Sequence, residues 1–263
     1  MIREYHRPSD KQAALALLAR QDVQTLVLAG GLSVNGERRK DEVELVDIQS
    51  LDLTDIVSRG KTLALGAGVT LQGLLDHPDT PAALAKSIRH QDSYNRRQVG
   101  TVAGSLLAGD GRSPFAAACY ALDPILILEE HGKPPEKVHL GDILGLREEA
   151  VQGKLITEVL LPQKTWLAYE YVARTPADRP VVSAAVCQWS SGRTRVVLGG
   201  YGEIPVLVLD GPSSDGAAAA AADAFSGAED HWASAEYRSE TAGVLVERGL
   251  ESIRRMREKN GRS

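Results

Sequence analysis

The chain has 263 residues, with 30 Lys+Arg against 35 Asp+Glu, a formal net charge of −5 and a hydrophobic fraction of 43%. That length supports one large domain or two modest ones, and that composition describes an ordinary globular protein rather than a disordered one. The acidic balance and the 5% aromatic content exclude a phosphate-backbone grip and base-stacking platforms, so no nucleic-acid role is expected.

In chain order, Ser9 and Asp10 precede apolar-periodic residues 13–18, which predicts a capped helix. Residues 25–29 predict a short strand running into Gly30-Gly31. Further strands are expected at 43–48 and 61–65, the latter ending at Gly66-Ala67-Gly68. Short helices fit 71–75 and 81–88. Residues 96–109 carry glycines and read as a loop, while 113–122 is a small-residue apolar helix. Strands follow at 124–129 and 155–161. Past Leu161-Pro162 the composition shifts. Strands at 181–189 and 193–198 form a hairpin through Ser190-Ser191-Gly192. A polar loop at 211–216 leads to an Ala-rich helix at 217–225. A last helix from about Ser234 carries Ala242, Leu245, Val246, Leu250 and Ile253 on one face. Elements alternate before residue 162 and run hairpin-then-helices after it, an α+β pattern with a boundary there.

Several chemistries are excluded. Cys119 and Cys187 are too few for an iron–sulfur cluster or a zinc finger, and they read as buried thiols of a cytoplasmic protein. The six His have no paired spacing, so no metal site is expected. Arg254, Arg255, Arg257 and Lys259 read as the end of a helix, where cations complement the dipole. Apolar runs fall far short of the ~20 residues of a membrane span, and residues 1–10 lack a signal-peptide core. No phosphate-binding GxxxxGK[ST] run exists, and Gly66-x-Gly68 lacks the dinucleotide spacing.

Two segments remain. Ala29-Gly30-Gly31-Leu32-Ser33 follows a strand directly; its glycines admit positive φ and close ligand approach, and successive amides in such a turn suit pyrophosphate oxygens. The other is Gly100-Thr101-Val102-Ala103-Gly104-Ser105, small residues with two hydroxyls. Each also has a purely structural reading as a tight turn. With no nucleophile–base arrangement evident, two such segments favour cofactor binding over side-chain catalysis.

At these residues the chain resembles the FAD-binding (medium) subunit of molybdenum hydroxylases, the carbon monoxide dehydrogenase and xanthine dehydrogenase family. Ala29 to Ser33 resembles the family's AGGxS motif, and Thr101 to Ser105 its TxGGN motif, preceded by Arg96-Arg97-Gln98-Val99-Gly100. Arg174, Val182 to Val186 and Leu198 to Pro205 are similar to the C-terminal domain's strand and GGVAxxP turn, and Ser234 to Arg238 to its closing SxxYR helix. The resemblance implies an α+β protein: a PCMH-type FAD-binding domain of two α/β subdomains at 1–162, then a smaller α+β domain at 163–263 like the CO dehydrogenase flavoprotein C-terminal domain. It implies FAD held by Ala29, Gly30, Gly31, Leu32, Ser33, Thr101, Ala103, Gly104 and Ser105, with Asp110 and Leu161, and no catalytic side chain. It implies a molybdenum-cofactor large subunit and a [2Fe–2S] small subunit as partners, whose electrons pass through the flavin to NAD, a quinone or another acceptor. Ala103, Ser105 and Pro114 depart from the family pattern. An Ala103 forced to positive φ would cost roughly 1–2 kcal/mol; the three departures together motivate a second reading, an assembly or regulatory subunit that keeps the fold without FAD.

Overall fold

The computed structural model describes residues 1–33 and 42–260. Two units divide the chain. The first takes Met1–His77, Tyr94–Ala108 and Pro124–Leu161; the second takes Pro78–Ser93, Gly109–Asp123 and Pro162–Ser263.

The first unit carries a three-stranded parallel sheet of β1 (Ile2–His6), β2 (Gln24–Leu28) and β3 (Val43–Asp47), in the order β1-β3-β2. Central β3 is buried at every position, Glu44 and Asp47 included. Helix α1 (Lys11–Leu18) is capped by Asp10, whose Oδ1 accepts the Ala13 amide at 2.9 Å. It buries Ala14, Leu15 and Leu18 with Val46, Ile48 and Leu155; each such Leu contributes about 1.5–3 kcal/mol. A five-stranded sheet follows the order β4-β5-β8-β6-β7, built from β4 (Ile56–Arg59), β5 (Thr62–Gly66), β6 (Ile125–Glu130), β7 (Glu136–His139) and β8 (Lys154–Pro162). The short helices α2 (Leu71–Asp76), α4 (Tyr94–Val99), α5 (Val102–Ala108), α7 (Leu140–Ile143) and α8 (Arg147–Val151) complete this unit.

The second unit is a four-stranded antiparallel sheet, order β12-β11-β10-β9, from β9 (Trp166–Val172), β10 (Val182–Gln188), β11 (Thr194–Gly199) and β12 (Val206–Gly211). Helices α9 (Ala217–Ala224) and α10 (Ala235–Asn260) share a core with Val182, Ala184, Val186, Val196 and Leu198. Helices α3 (Ala82–Gln91) and α6 (Pro114–Leu122) also pack on the sheet, α6 bringing the Ala117 methyl to Gly199. Strand β10 is therefore buried along its whole length, which explains its unbroken run of small and apolar residues. Gly249 lets α10 lie close: a Cβ there would stand 2.9 Å from Cγ2 of Val186. Arg238 is fully buried and each of its three nitrogens donates, to Val181 O at 3.2 Å, Ala228 O at 2.9 Å and Asp230 Oδ1 at 2.8 Å.

Three expectations need correction. Residues 96–108 are not a loop; they form the end of α4 and all of α5 with a two-residue break at Gly100 and Thr101. Glycine is a poor helix former, which hid them. Strands β1, β4 and β7 lie at sheet edges with polar, mostly exposed faces, so no apolar alternation announced them. Strands β9 and β12 extend the predicted hairpin on both sides. Among the described residues no helix is long and apolar enough to cross a membrane.

Candidate functional site

Strand β2 delivers the first glycine turn. Gly31 holds φ = +73°, a conformation that disfavours side chains. At Gly30 the constraint is contact: a Cβ would lie 1.8 Å from the carbonyl oxygen of Val99 and 2.7 Å from its carbon. From the other side, a Cβ at Gly100 would meet Leu32 Cδ1 at 3.0 Å. The two glycine-bearing segments thus pack main chain to main chain within the first unit. Gln49 fixes the turn by donating from Nε2 to Ala29 O at 2.8 Å. The amides of Gly30, Gly31, Leu32 and Ser33 have no hydrogen-bond acceptor among the described residues, and Ser33 is exposed.

The second segment is anchored to the α2 entry. Leu71 N donates to Gly100 O and Val102 N to Val69 O, both at 2.8 Å, and Thr70 bridges Thr101. Thr101 Oγ1 accepts the Gly104 amide at 3.2 Å, and Thr101 O accepts the Ser105 amide at 2.9 Å, which closes the first turn of α5. Thr101 and Ala103 are buried, Ser105 is half-buried and Gly104 is exposed. Ala103 sits inside α5 and is absent from the positive-φ residues, so the strain weighed for it does not exist. That removes the backbone-strain motive for a flavin-free subunit, while Ser105 and Pro114 remain departures from the family pattern.

Leu161 lies in the first unit at the end of β8, with its side chain only 1% exposed, so it offers main chain alone. Asp110 belongs to the second unit. Its carboxylate accepts from Arg179 Nη1 at 2.7 Å and from the Arg112 amide at 3.0 Å. Pro114 opens α6 behind Ser113, whose Oγ accepts the Ala116 amide at 3.2 Å, a position where proline is at home. The sequence reading missed Gln49 and the Val99 carbonyl as parts of the turn. No spacing rule could have found them, because the Val99 carbonyl acts through main chain and the Gln49 side chain reaches Ala29 O only once the chain has folded.

The remaining chemistry is quiet. Burial pushes the Cys187 thiol up to about 12 and the Cys119 thiol up as well, so neither is a nucleophile near neutral pH. A cavity of about 330 Å³ in the second unit is lined by Arg174, Val181, Trp232, Ser234 and Tyr237 among others. The guanidinium groups of Arg112 and Arg174 lie 4.4 and 4.8 Å from the Trp232 ring.

Comparison with known proteins fits this geometry. Residues 1–164 match the family described as the FAD binding domain in molybdopterin dehydrogenase. The carbon monoxide dehydrogenase medium chain of Afipia carboxidovorans is 30% identical, and that of Hydrogenophaga pseudoflava 28%, each covering 94% of this chain and 95% of its own. The Escherichia coli protein YgfM is 27% identical, covering 94% of both chains. Among solved structures, a CO dehydrogenase from Oligotropha carboxidovorans superposes with a TM-score of 0.77 at 25% identity, over 95% of this chain and 96% of that one. Quinoline 2-oxidoreductase from Pseudomonas putida shares the fold at a TM-score of 0.76 and 21% identity, over 95% and 96%. The chain therefore belongs to the FAD-binding-domain family of molybdopterin dehydrogenases, whose cofactor is FAD.

Proposed function

We propose that this chain is the electron-transferring FAD subunit of a molybdenum hydroxylase-type oxidoreductase. In this reading residues 1–162 form the FAD-binding domain and 163–263 the C-terminal domain. The large molybdenum-cofactor subunit, a [2Fe–2S] subunit and the final acceptor, NAD or a quinone, are separate molecules. The observation that carries the reading is the interlock of Gly30 with Val99 beside four amides that have no acceptor among the described residues. Such amides suit a pyrophosphate, and a Cβ at either glycine would disturb them.

FAD, when bound, supplies the redox centre that takes electrons from the partner clusters and yields them to the acceptor. The protein's part is binding and orientation. Residues 29–33 offer amides and the Ser33 hydroxyl. Thr101 keeps its own hydroxyl proton to donate, since its oxygen accepts from Gly104. Ser105 and the Leu161 main chain belong to the same first unit. The buried free thiols Cys119 and Cys187 fit a reducing, cytoplasmic setting.

The test is a complex assembled with both partner subunits and given the holoenzyme's substrate without oxygen. The reading expects the flavin band to bleach after the clusters are reduced. Reduced clusters beside a flavin that stays oxidised would refute electron transfer through this chain.

A further inference from the structure

At the β1 edge of the sheet face that carries Val46 and α1, three side chains from two strands come together. Glu4 and His6 are two apart on β1, so they point to one face. Glu44 on β3 is the register partner of Glu4. His6 Nε2 lies 3.0 Å from Glu44 Oε2 and 3.4 Å from Glu4 Oε2, and the three donor atoms all fall within 4.8 Å of one another. A tetrahedral ion with metal–donor distances of about 2.0–2.1 Å has donor–donor edges of about 3.3 Å. The two edges from His6, 3.0 and 3.4 Å, bracket that value.

Glu44 supplies an independent sign. Its side chain is 0% exposed, and its Oε1 is a buried oxygen with no hydrogen-bond partner. A buried carboxylate with an open lone pair is costly unless a cation or donor reaches it. Arg20 Nη1 donates to Oε2 at 2.8 Å, and Arg3 Nε stands 3.9 Å from Oε1, beyond hydrogen-bond range. Arg20 also pairs with Asp22. The three carboxylates of Glu4, Glu44 and Asp22 thus outnumber the two guanidiniums by one, leaving room for added positive charge.

We propose that Glu4, His6 and Glu44 form a binding site for one divalent transition-metal ion of the zinc class, with water in the remaining position. One imidazole nitrogen with two carboxylate oxygens suits Zn²⁺ or Co²⁺ better than Ca²⁺ or Mg²⁺, which prefer all-oxygen shells. Arg20 holds the Glu44 carboxylate in place behind the ion. Bound there, the ion ties edge strand β1 to central β3, independently of any flavin.

The experiment titrates the full-length chain, stripped with EDTA, with Co²⁺ and then with Zn²⁺ in competition. Glu4→Gln and His6→Gln are compared with the native chain; neither side chain is fully buried, so both variants are expected to fold, as circular dichroism checks. The proposal expects one Co²⁺ per chain with visible bands of tetrahedral intensity, displacement by Zn²⁺, and affinity weakened by about tenfold or more in each variant. Absence of saturable binding, or binding unchanged in both folded variants, would overturn it.

Discussion

Gly30 and Val99 meet through main chain alone: a side chain of any size on Gly30 would strike the Val99 carbonyl, with its Cβ 1.8 Å from the oxygen. This contact joins the turn after β2 to the end of α4, and no flexible side chain can yield to relieve it. Gly30→Ala is expected to spread the two segments and to abolish FAD uptake. Gly31→Val should do the same by a separate route, because its φ of +73° is strained for a branched residue. Titration by flavin fluorescence quenching, alongside circular dichroism, checks both. Native-like uptake in Gly31→Val would mean that residues 29–33 are not the phosphate-binding turn.

Ala103→Gly should not improve flavin binding. Ala103 is a buried helical residue of α5, and glycine in a helix interior costs about 1 kcal/mol relative to alanine. Thermal melting should show the loss. A tighter FAD affinity in Ala103→Gly would show that the cofactor requires a different local conformation from the one described.

Which parts of this were legible in the sequence follows from where the signal resides. Helix α1 was readable because Asp10 and the apolar residues 14, 15 and 18 are a local pattern. The β10–β11 hairpin was readable because Gly192, at φ = +92°, sits between two apolar runs. The glycine turn itself stood out, since two adjacent glycines after a strand are rare without a backbone reason. Its partners did not. The Val99 carbonyl is featureless in sequence, and Gln49 reaches Ala29 across 20 residues. Edge strand β1 was missed because its residues are mostly exposed and polar. The Glu4–His6–Glu44 cluster depends on strand register between β1 and β3, which single-chain spacing cannot express.

Arg238 anchors the second unit. Its hydrogen bonds tie α10 to Val181, Ala228 and Asp230 from a fully buried position. Arg238→Ala should leave two carbonyls and one half-buried carboxylate without that partner, and each buried polar group left unsatisfied costs about 1–3 kcal/mol. Urea unfolding measures it. A loss below about 1 kcal/mol, the scale of a surface pair, would contradict the burial described.

His90 gives the second unit a pH dependence of known sign. Burial holds its imidazole below the ordinary value; its Nε2 meets Asp178 O at 2.7 Å and its ring packs 3.9 Å from Tyr171. The folded protein therefore keeps His90 neutral where the unfolded chain takes a proton. Its contribution is fully present above about pH 6.5, the unfolded value, and is lost as pH falls through the lower folded value. Urea midpoints for the native chain should fall from about pH 7.5 to pH 5.5, and more shallowly for His90→Gln. An identical slope in the two proteins would remove His90 from the account.

The most direct measurement is the visible absorbance spectrum of the purified full-length chain before and after saturation with FAD and removal of the excess, repeated with the partner subunits present. The account predicts one FAD retained per chain, and none retained by Gly31→Val. No retained flavin in any of these preparations would contradict the assignment of a cofactor to the Gly30–Val99 junction.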